Sequence, residues 1–163
     1  MDCPQNQRNF LQYLRDHKVL VVTMAPNCRS FGPTSHLNRS INPNTWTDHY
    51  AKDLVHARFC GHVAQVQMQQ GRYFFGEQPH PTTLWQVHPW TQVLQHPEVI
   101  RKIVDQCMLG QTAPNGQPVK KPTVLISNSA TIMALFDDLR CDGQHDHYHL
   151  FCLLYTSDAA DDA

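Results

Sequence analysis

The chain has 163 residues, a formal net charge of −1 and a hydrophobic content of 41%. These values are those of an ordinary globular protein with room for one domain and a buried core. The near-neutral balance gives no sign of an overall basic surface for nucleic acid, although a cleft can be locally basic, and no apolar run approaches the roughly 20 residues of a membrane span.

In the N-terminal half, helical spacing of apolar residues predicts a helix over residues 5–16. The continuously apolar run KVLVVTM (18–24) predicts a strand covered on both faces, as in a parallel sheet. Pro, Gly, Asn and Ser then predict a loop over 25–40. A helix is expected from about 45 to 70, ending before a glycine, and a short strand RYFF (72–75) follows it.

In the C-terminal half, short helical pieces are expected at 92–94 and 98–100, broken by a proline. Strands are predicted at 102–109 and 124–127, with a turn-rich connection between them. The last predicted element is a helix over 130–139. This alternation of helices and strands fits an α/β sheet with crossover connections.

The end of the chain, CLLYTSDAADDA (152–163), has an unusual origin. Its first ten residues back-translate codon by codon into a transposase-type sequencing adapter, whereas an ordinary acidic terminus would match only by chance. We therefore expect residues 152–163 to be non-native. Residues 1–151 are then one partial α/β domain whose natural protein continues further.

The cysteines show no short repeated spacing, and no apolar run near the N-terminus resembles a signal peptide. We therefore predict reduced thiols and an intracellular protein, in the nucleus of a eukaryote or in the cytoplasm of a bacterial or phage-infected cell. The sequence does not set the oligomeric state. The six cysteines are Cys3, Cys28, Cys60, Cys107, Cys141 and Cys152.

Two loops that follow predicted strands contain reactive side chains. Cys28 lies in APNCRSFG after the first strand, and Glu77 lies in GEQP directly beyond the second. Because sites in open α/β sheets form at the carboxyl ends of strands, we expect the two to share a cleft. A thiol beside a carboxylic acid suits addition to an electron-poor ring. The alternative is an inert loop cysteine and a solvated carboxylate.

APNCRSF after KVLVVTM resembles the nucleophile motif of C5-cytosine DNA methyltransferases, a Pro-Cys step with a nearby Phe after a buried strand. GRYFFGEQP resembles the second catalytic strand of that family, and DQCMLG with KKPTVLISNS resembles later strands of its phage-like members. The same ordered set is similar to methyltransferase-like segments of retroelement polyproteins, including their RCDG ending with histidines (140–147). The resemblance spans roughly residues 9–150.

The resemblance implies a partial, doubly wound, Rossmann-like methyltransferase sheet, incomplete at both ends. It also implies DNA as partner and methyl transfer from S-adenosylmethionine to C5 of a flipped-out cytosine. Cys28 would attack C6 of the ring, and Glu77 would hold and protonate N3. The residues expected at the substrate are Arg29, Phe31, Gln78, Lys120 and Lys121.

The chain departs from the family pattern at several points. Asn27 stands where a second Pro is preferred, Arg29 replaces a Gln, and Gln78 replaces the Asn that follows the Glu. No Gly-rich loop that could cradle S-adenosylmethionine follows a first strand. Either the fragment begins after that loop or the protein lacks the site. In both cases we expect this chain alone to be unable to methylate DNA.

A second candidate site is a group of cysteine and histidine side chains near the C-terminus. Cys141, His145, His147 and His149 fall within nine residues, and alternating histidines of an extended segment share one face. These side chains are predicted zinc ligands. The alternative is a polar, His-rich segment, because structural zinc sites usually use two separated pairs of ligands.

Three hypotheses for the function therefore stand beside one another. The chain is a fragment of a cytosine-C5 methyltransferase-like protein, or a non-catalytic nucleic-acid-binding or structural module of a retroelement polyprotein, or a metal-binding protein built on the histidine cluster. Loss of covalent trapping on DNA when Cys28 is replaced is expected only for the first. Salt-dependent DNA binding that survives this replacement indicates the second, and unfolding by a chelator indicates the third.

Overall fold

The structure, a computed structural model, describes residues 3–148 and is built around one four-stranded mixed sheet. Its strands are β1 (Val21–Met24), β2 (Tyr73–Pro79), β3 (Ile100–Asp105) and β4 (Pro122–Ser127). The order across the sheet is β1-β2-β4-β3, in which β1 and β2 are parallel and β4 runs antiparallel to both of its neighbours. The chain is therefore α/β, as predicted, with a sheet that is mixed rather than wholly parallel.

Five helices surround this sheet in the described part of the chain. They are α1 (Pro4–Asp16), α2 (Ser35–Ile41), α3 (Pro43–Gln69), α4 (Trp90–Val93) and α5 (Ala130–Ala134). Two 3-10 turns, Leu84–Gln86 and Gln106–Leu109, follow β2 and β3. A proline occupies the first turn of both α1 and α3, where no N–H partner is needed. None of these helices has the length and apolar character required to cross a bilayer.

The sheet buries apolar side chains on both of its faces because neighbouring residues of each strand point in opposite directions. On one face, Phe74 and Ile126 belong to the main core with side chains of α1, α3 and α4. On the other face, Leu125 and Val104 pack with Met133 of α5. Helical segments therefore cover both faces, which agrees with the continuous apolar character of the strand sequences.

The second strand is longer than the sequence predicts, and this changes the position of Glu77. The strand expected over residues 72–75 runs on to Pro79 because Glu77, Gln78 and Pro79 pair with Leu125, Val124 and Thr123 of β4. The sequence GEQP lacks strand character of its own, so an antiparallel partner determines its conformation. The expectation that Glu77 lies in a loop beyond the strand is wrong.

Four other boundaries differ from those predicted. The expected loop 25–40 contains most of α2, and the segment 98–100 is not helical, because Ile100 already pairs with Ser127. The strand expected over 102–109 ends at Asp105, where its partner strand begins at Pro122. The helix expected over 130–139 ends at Ala134 and continues as turns. The predicted adapter-derived tail and His149 lie outside the described residues.

Candidate functional site

The parallel pairing of β1 and β2 brings the two predicted reactive residues to one edge of the sheet. Met24, the last residue of β1, is in register with Gly76, which directly precedes Glu77. Cys28 follows β1 in the loop at this edge, and the charge of Glu77 acts on its thiol. The structure thus sets Cys28 and Glu77 at the same end of two neighbouring strands, with Glu77 within the strand itself.

The loop that contains Cys28 is a tight turn connected to β2. The carbonyl oxygen of Cys28 accepts hydrogen bonds from the amides of Phe31, at 3.1 Å, and Gly32, at 2.7 Å. A Cβ on Gly32 would lie 2.9 Å from that same oxygen, so this turn requires glycine. The buried side-chain amide of Gln78 donates to the carbonyl oxygen of Pro26. Gln78 therefore fixes the start of the loop from the strand that contains Glu77.

Two further contacts hold this loop from other elements. The hydroxyl of Ser30 donates to the carboxylate of Asp53 on α3 at 2.5 Å, and the amide of Thr83 donates to the carbonyl oxygen of Phe31 at 2.9 Å. The Phe31 ring is 1% exposed and lies 5.7 Å from the ring of Tyr50. Phe31 is thus a buried anchor of the loop. Nothing in the sequence indicates Asp53 or Thr83, because their partners are distant along the chain.

The surroundings of Cys28 and Glu77 favour their neutral forms. Burial raises the pKa of the Cys28 thiol, the positive charge of Lys121 opposes that increase, and Glu77 and Asp53 add to it. Cys28 nevertheless remains exposed to solvent. Burial also raises the pKa of Glu77, and Lys121 again opposes the effect. A raised pKa favours the protonated form of the carboxyl group, the form that a proton donor uses.

The other residues predicted at the substrate have different environments. One guanidinium nitrogen of Arg29 lies 2.5 Å from Nδ1 of His49, and the Arg29 amide donates to the side chain of Asn27 at 3.0 Å. Lys120 is exposed, whereas Lys121 is half-buried. Lys121 directly precedes Pro122, whose carbonyl oxygen accepts a hydrogen bond from the His80 amide at 2.8 Å just beyond β2. The charge of Lys121 acts on both Cys28 and Glu77. Gln78 has its contact within the protein.

A second group of side chains could hold a metal ion. One ligand atom from each of Cys107, Cys141, His145 and His147 lies within 4.8 Å of the other three. The sulfur of Cys141 is 3.3 Å from Nε2 of His147 and 3.8 Å from Nε2 of His145. The two imidazole rings are 4.5 Å apart between centroids. Three of the four predicted ligands are thus together, and Cys107 supplies a fourth donor that the sequence analysis missed.

The cluster joins two distant segments of the chain. Cys107 lies in the 3-10 turn after β3, whereas the other donors belong to the segment after α5. The buried carboxylate of Asp105 accepts a hydrogen bond from the amide of Cys141 at 2.9 Å. The Gly143 amide donates to the Cys141 sulfur at 3.3 Å. Only the tertiary structure reveals Cys107, because no spacing in the sequence links it to the histidines.

The ionisation of two of these donors is shifted by their surroundings. Burial raises the pKa of the Cys107 thiol, and the neighbouring Cys141 raises it further. Burial lowers the pKa of His147, and the charge of His145 adds to this effect. A lowered pKa favours the neutral form of His147, the form in which imidazole binds metals.

Two groups of side chains with distinct chemistry thus lie in the described part of the chain: a thiol and a carboxyl group at the ends of two parallel strands, and a cluster of two thiols and two imidazoles. No protein-family model, curated protein sequence or solved structure matches this chain.

Proposed function

We propose that Cys28 and Glu77 are the catalytic pair of a cytosine-C5 DNA methyltransferase-like domain. The observation that supports this most directly is the register of β1 and β2, which sets a thiol and a carboxyl group of raised pKa at the same edge of the sheet. The order of the four sequence segments that resemble the family adds independent support. The partner in this proposal is DNA with a cytosine turned out of the helix.

The chemistry assigned to the pair is the activation of the cytosine ring. The thiolate of Cys28 forms a bond to C6, and the electron pair of the C5–C6 double bond moves toward C5 and the conjugated N3. The proton of Glu77 passes to N3, which leaves a neutral ring adduct and a Glu77 carboxylate. Carbon C5 of this adduct is electron-rich and can attack an electrophilic carbon.

Lys121 has a supporting role in this proposal. The free protein holds Cys28 mainly as a thiol, whereas attack requires the thiolate. The positive charge of Lys121 favours the thiolate and opposes the effect of burial on both Cys28 and Glu77. Its position at the pair also allows it to meet a DNA phosphate.

S-adenosylmethionine would supply the methyl group, but the residues described here do not fit it. The loop after β1 contains a single glycine, Gly32, and the carbonyl oxygen of Cys28 fills the space beside it. No Gly-rich loop follows any strand within residues 3–148. The chemistry assigned to these residues therefore ends at the activated ring.

Covalent trapping that needs no methyl donor tests the catalytic pair. DNA containing 5-azacytosine has a more electrophilic C6, so a thiolate adds to it directly and the displaced electron pair is protonated at ring nitrogen. We expect a denaturation-resistant protein–DNA adduct that peptide mapping places at Cys28. Cys28→Ser should abolish the adduct, and Glu77→Gln should slow its formation by roughly a hundredfold because the proton donor is lost.

Cys3→Ser is the matched control for this experiment because Cys3 is an exposed thiol on another element, and it should leave the adduct unchanged. Single-stranded and mismatched duplex DNA should both be tried, since an unpaired base is cheaper to extrude. An adduct that survives in Cys28→Ser, or no adduct with the unmodified protein, would contradict the proposal.

We propose, as a second function, that the four-donor cluster binds zinc. Two thiolates and two imidazoles are the donor set of tetrahedral structural zinc sites. A separation of 3.3 Å between Cys141 Sγ and His147 Nε2 is close to the distance that two donors have when they share one tetrahedral ion. Four protein donors leave no open position for substrate, so the ion would have a structural role.

Metal analysis of the purified protein tests the zinc site. We expect about one zinc ion per chain, and an intense thiolate-to-metal absorption when cobalt replaces zinc. Cys107→Ser should remove most of the bound metal because it deletes a thiolate donor. Cys28→Ser changes a cysteine outside the cluster and should retain full occupancy. Folded protein without bound zinc in zinc-supplemented medium would rule the site out.

A further inference from the structure

The metal cluster and the catalytic pair lie at the same edge of the sheet. Strands β2 and β3 both run antiparallel to β4, so they point in the same direction as each other and as β1. The carboxyl ends of β1 and β3 lead to Cys28 and Cys107, respectively, and Glu77 lies near the carboxyl end of β2. Strand β4 begins at this edge, directly after Lys121. The segment between Cys107 and Lys121 therefore joins one site to the other.

This segment, residues 106–121, is a loop with its two ends paired. The Gln106 amide donates to the carbonyl oxygen of Lys121 at 3.2 Å, and the Val119 amide donates to that of Gln111 at 2.9 Å. A single bridge between Thr112 and Pro118 closes the loop further out. The backbone of Lys121 is thus bonded to the residue that immediately precedes Cys107.

The segment that contributes the other metal donors touches the same loop at a second point. The Tyr148 amide donates to the carbonyl oxygen of Pro118 at 2.8 Å. Residues 139–148 contain no helix or strand, so their own backbone contributes few bonds that fix them in place. An ion shared by Cys107 and His147 would connect this segment to the loop at its base.

Lys121 is the residue of this loop whose charge acts on Cys28 and Glu77. Its side chain is half-buried, and its positive charge lowers the pKa of both Cys28 and Glu77. The other charged groups that act on Cys28 are Glu77 and Asp53, and both oppose Lys121. A displacement of Lys121 would therefore leave burial and the negative charges of Glu77 and Asp53 opposed only by a backbone hydrogen bond of the thiol.

We propose that a metal ion bound by Cys107, Cys141, His145 and His147 fixes the 106–121 loop and thereby holds Lys121 beside Cys28 and Glu77. Lys121 is a positioning residue in this scheme, and the ion acts on the thiol only through the loop. The inference rests on the proposed zinc site and does not require that the protein methylates DNA.

The rate at which iodoacetamide alkylates Cys28, measured peptide by peptide, tests this inference without any enzyme assay. A Cys3→Ser background removes an exposed thiol whose pKa is lowered by backbone hydrogen bonds from Asn6 and Gln5. Cys60 should contribute little, because burial raises the pKa of its thiol to about 12. At about pH 8, removal of zinc by a chelator should slow alkylation of Cys28 by about threefold or more, since the thiolate fraction falls tenfold for each unit of pKa increase.

The variant Lys121→Gln tests whether the metal ion affects the Cys28 thiol through the Lys121 amine. With zinc bound, it should slow alkylation of Cys28 to a similar extent, and chelation should then have no further effect. Lys18→Gln removes an exposed lysine before β1, at the opposite end of the sheet, and should behave like the unmodified protein. If chelation slows Cys28 equally in the presence and absence of the Lys121 amine, the ion does not act through this residue and the inference is wrong.

Hydrogen exchange shows whether chelation releases the loop or unfolds the molecule. We expect faster exchange at residues 106–121 and 139–148 and unchanged protection in α3. Loss of protection in the sheet and α3 as well would mean that the ion stabilises the whole fold, which overturns the local role proposed here. Absence of bound zinc in the starting protein would instead refute the zinc site, so the two failures are distinguishable.

Discussion

Replacement of Trp90 by alanine is expected to lower the free energy of unfolding by about 3–5 kcal/mol, the cost of removing a large aromatic side chain from a packed core. The Trp90 side chain is 0% exposed and makes edge-to-face contacts with Phe74 of the sheet, at 6.2 Å, and with Trp85, at 5.2 Å. Its indole N–H donates to the carbonyl oxygen of Ala57 at 2.9 Å. One side chain thus links the sheet, the segment after β2 and helix α3.

The local geometry leaves little scope for collapse into the resulting cavity. Gly61 of α3 lies against this region so closely that a Cβ there would be 3.0 Å from ring atoms of Pro89 and 3.3 Å from Trp90. The Pro89 ring already lies against the backbone of α3 at Gly61, which limits how far the two segments can approach when the indole is removed. The cavity therefore stays largely open, which places the expected cost toward the upper end of the range.

Urea denaturation followed by circular dichroism measures this effect. Trp90→Phe keeps most of the apolar volume and removes the N–H donor, so its loss should be smaller than that of Trp90→Ala. Leu135→Ala removes an apolar side chain that is 75% exposed and should change stability by less than about 0.5 kcal/mol. Equal stabilities for Trp90→Ala and Leu135→Ala would show that Trp90 is not part of the core.

The sequence predicts those parts of the fold that depend on local patterns. The run KVLVVTM predicts β1 because continuous apolar residues require burial on both faces, and helical spacing predicts α1 and α3 nearly to their ends. The extension of β2 through Glu77 could not be predicted in this way. Its strand conformation comes from pairing with β4, whose residues lie about fifty positions later in the chain.

The same distinction holds for the candidate sites. The rule that sites form at strand ends predicts that Cys28 and Glu77 share a cleft, and the register of β1 and β2 sets them at the same end of two paired strands. The alternating histidines predict that His145 and His147 converge. Cys107 was not predicted, because its proximity to the histidines depends on the order β1-β2-β4-β3 and on the path of the chain after α5. Which reaction the pair performs, and which metal the cluster holds, stay proposals.

Replacement of Asp105 by alanine is expected to weaken zinc binding by about 10–100-fold, the usual cost of losing a group that orients metal ligands. The Asp105 side chain is 0% exposed, and one of its oxygens accepts both the Cys141 amide, at 2.9 Å, and Nε of Arg140, at 3.3 Å. These bonds connect the end of β3 to the start of the donor segment. Without these bonds, the metal-free protein no longer holds Cys141 in position opposite Cys107.

The effect on folding stability should be smaller than the effect on metal affinity. The other oxygen of Asp105 is buried and has no hydrogen-bond partner among residues 3–148, so alanine also removes a desolvation cost. Arg140 is more than half exposed and can be solvated when its partner is lost. We therefore expect a loss of about 1–2 kcal/mol in unfolding free energy without zinc, below the cost of breaking a fully buried ion pair.

Competition with a chromophoric chelator measures the zinc affinity, and Asp146→Ala is the matched control. Asp146 is an exposed carboxylate next to His147, and its charge acts on that imidazole. If Asp105 acted only through its negative charge, Asp146→Ala should weaken zinc binding at least as much. We expect a change of less than about threefold for Asp146→Ala, because surface charge contributes little to a closed site. Similar losses in both variants would assign the effect to charge and not to the position of Cys141.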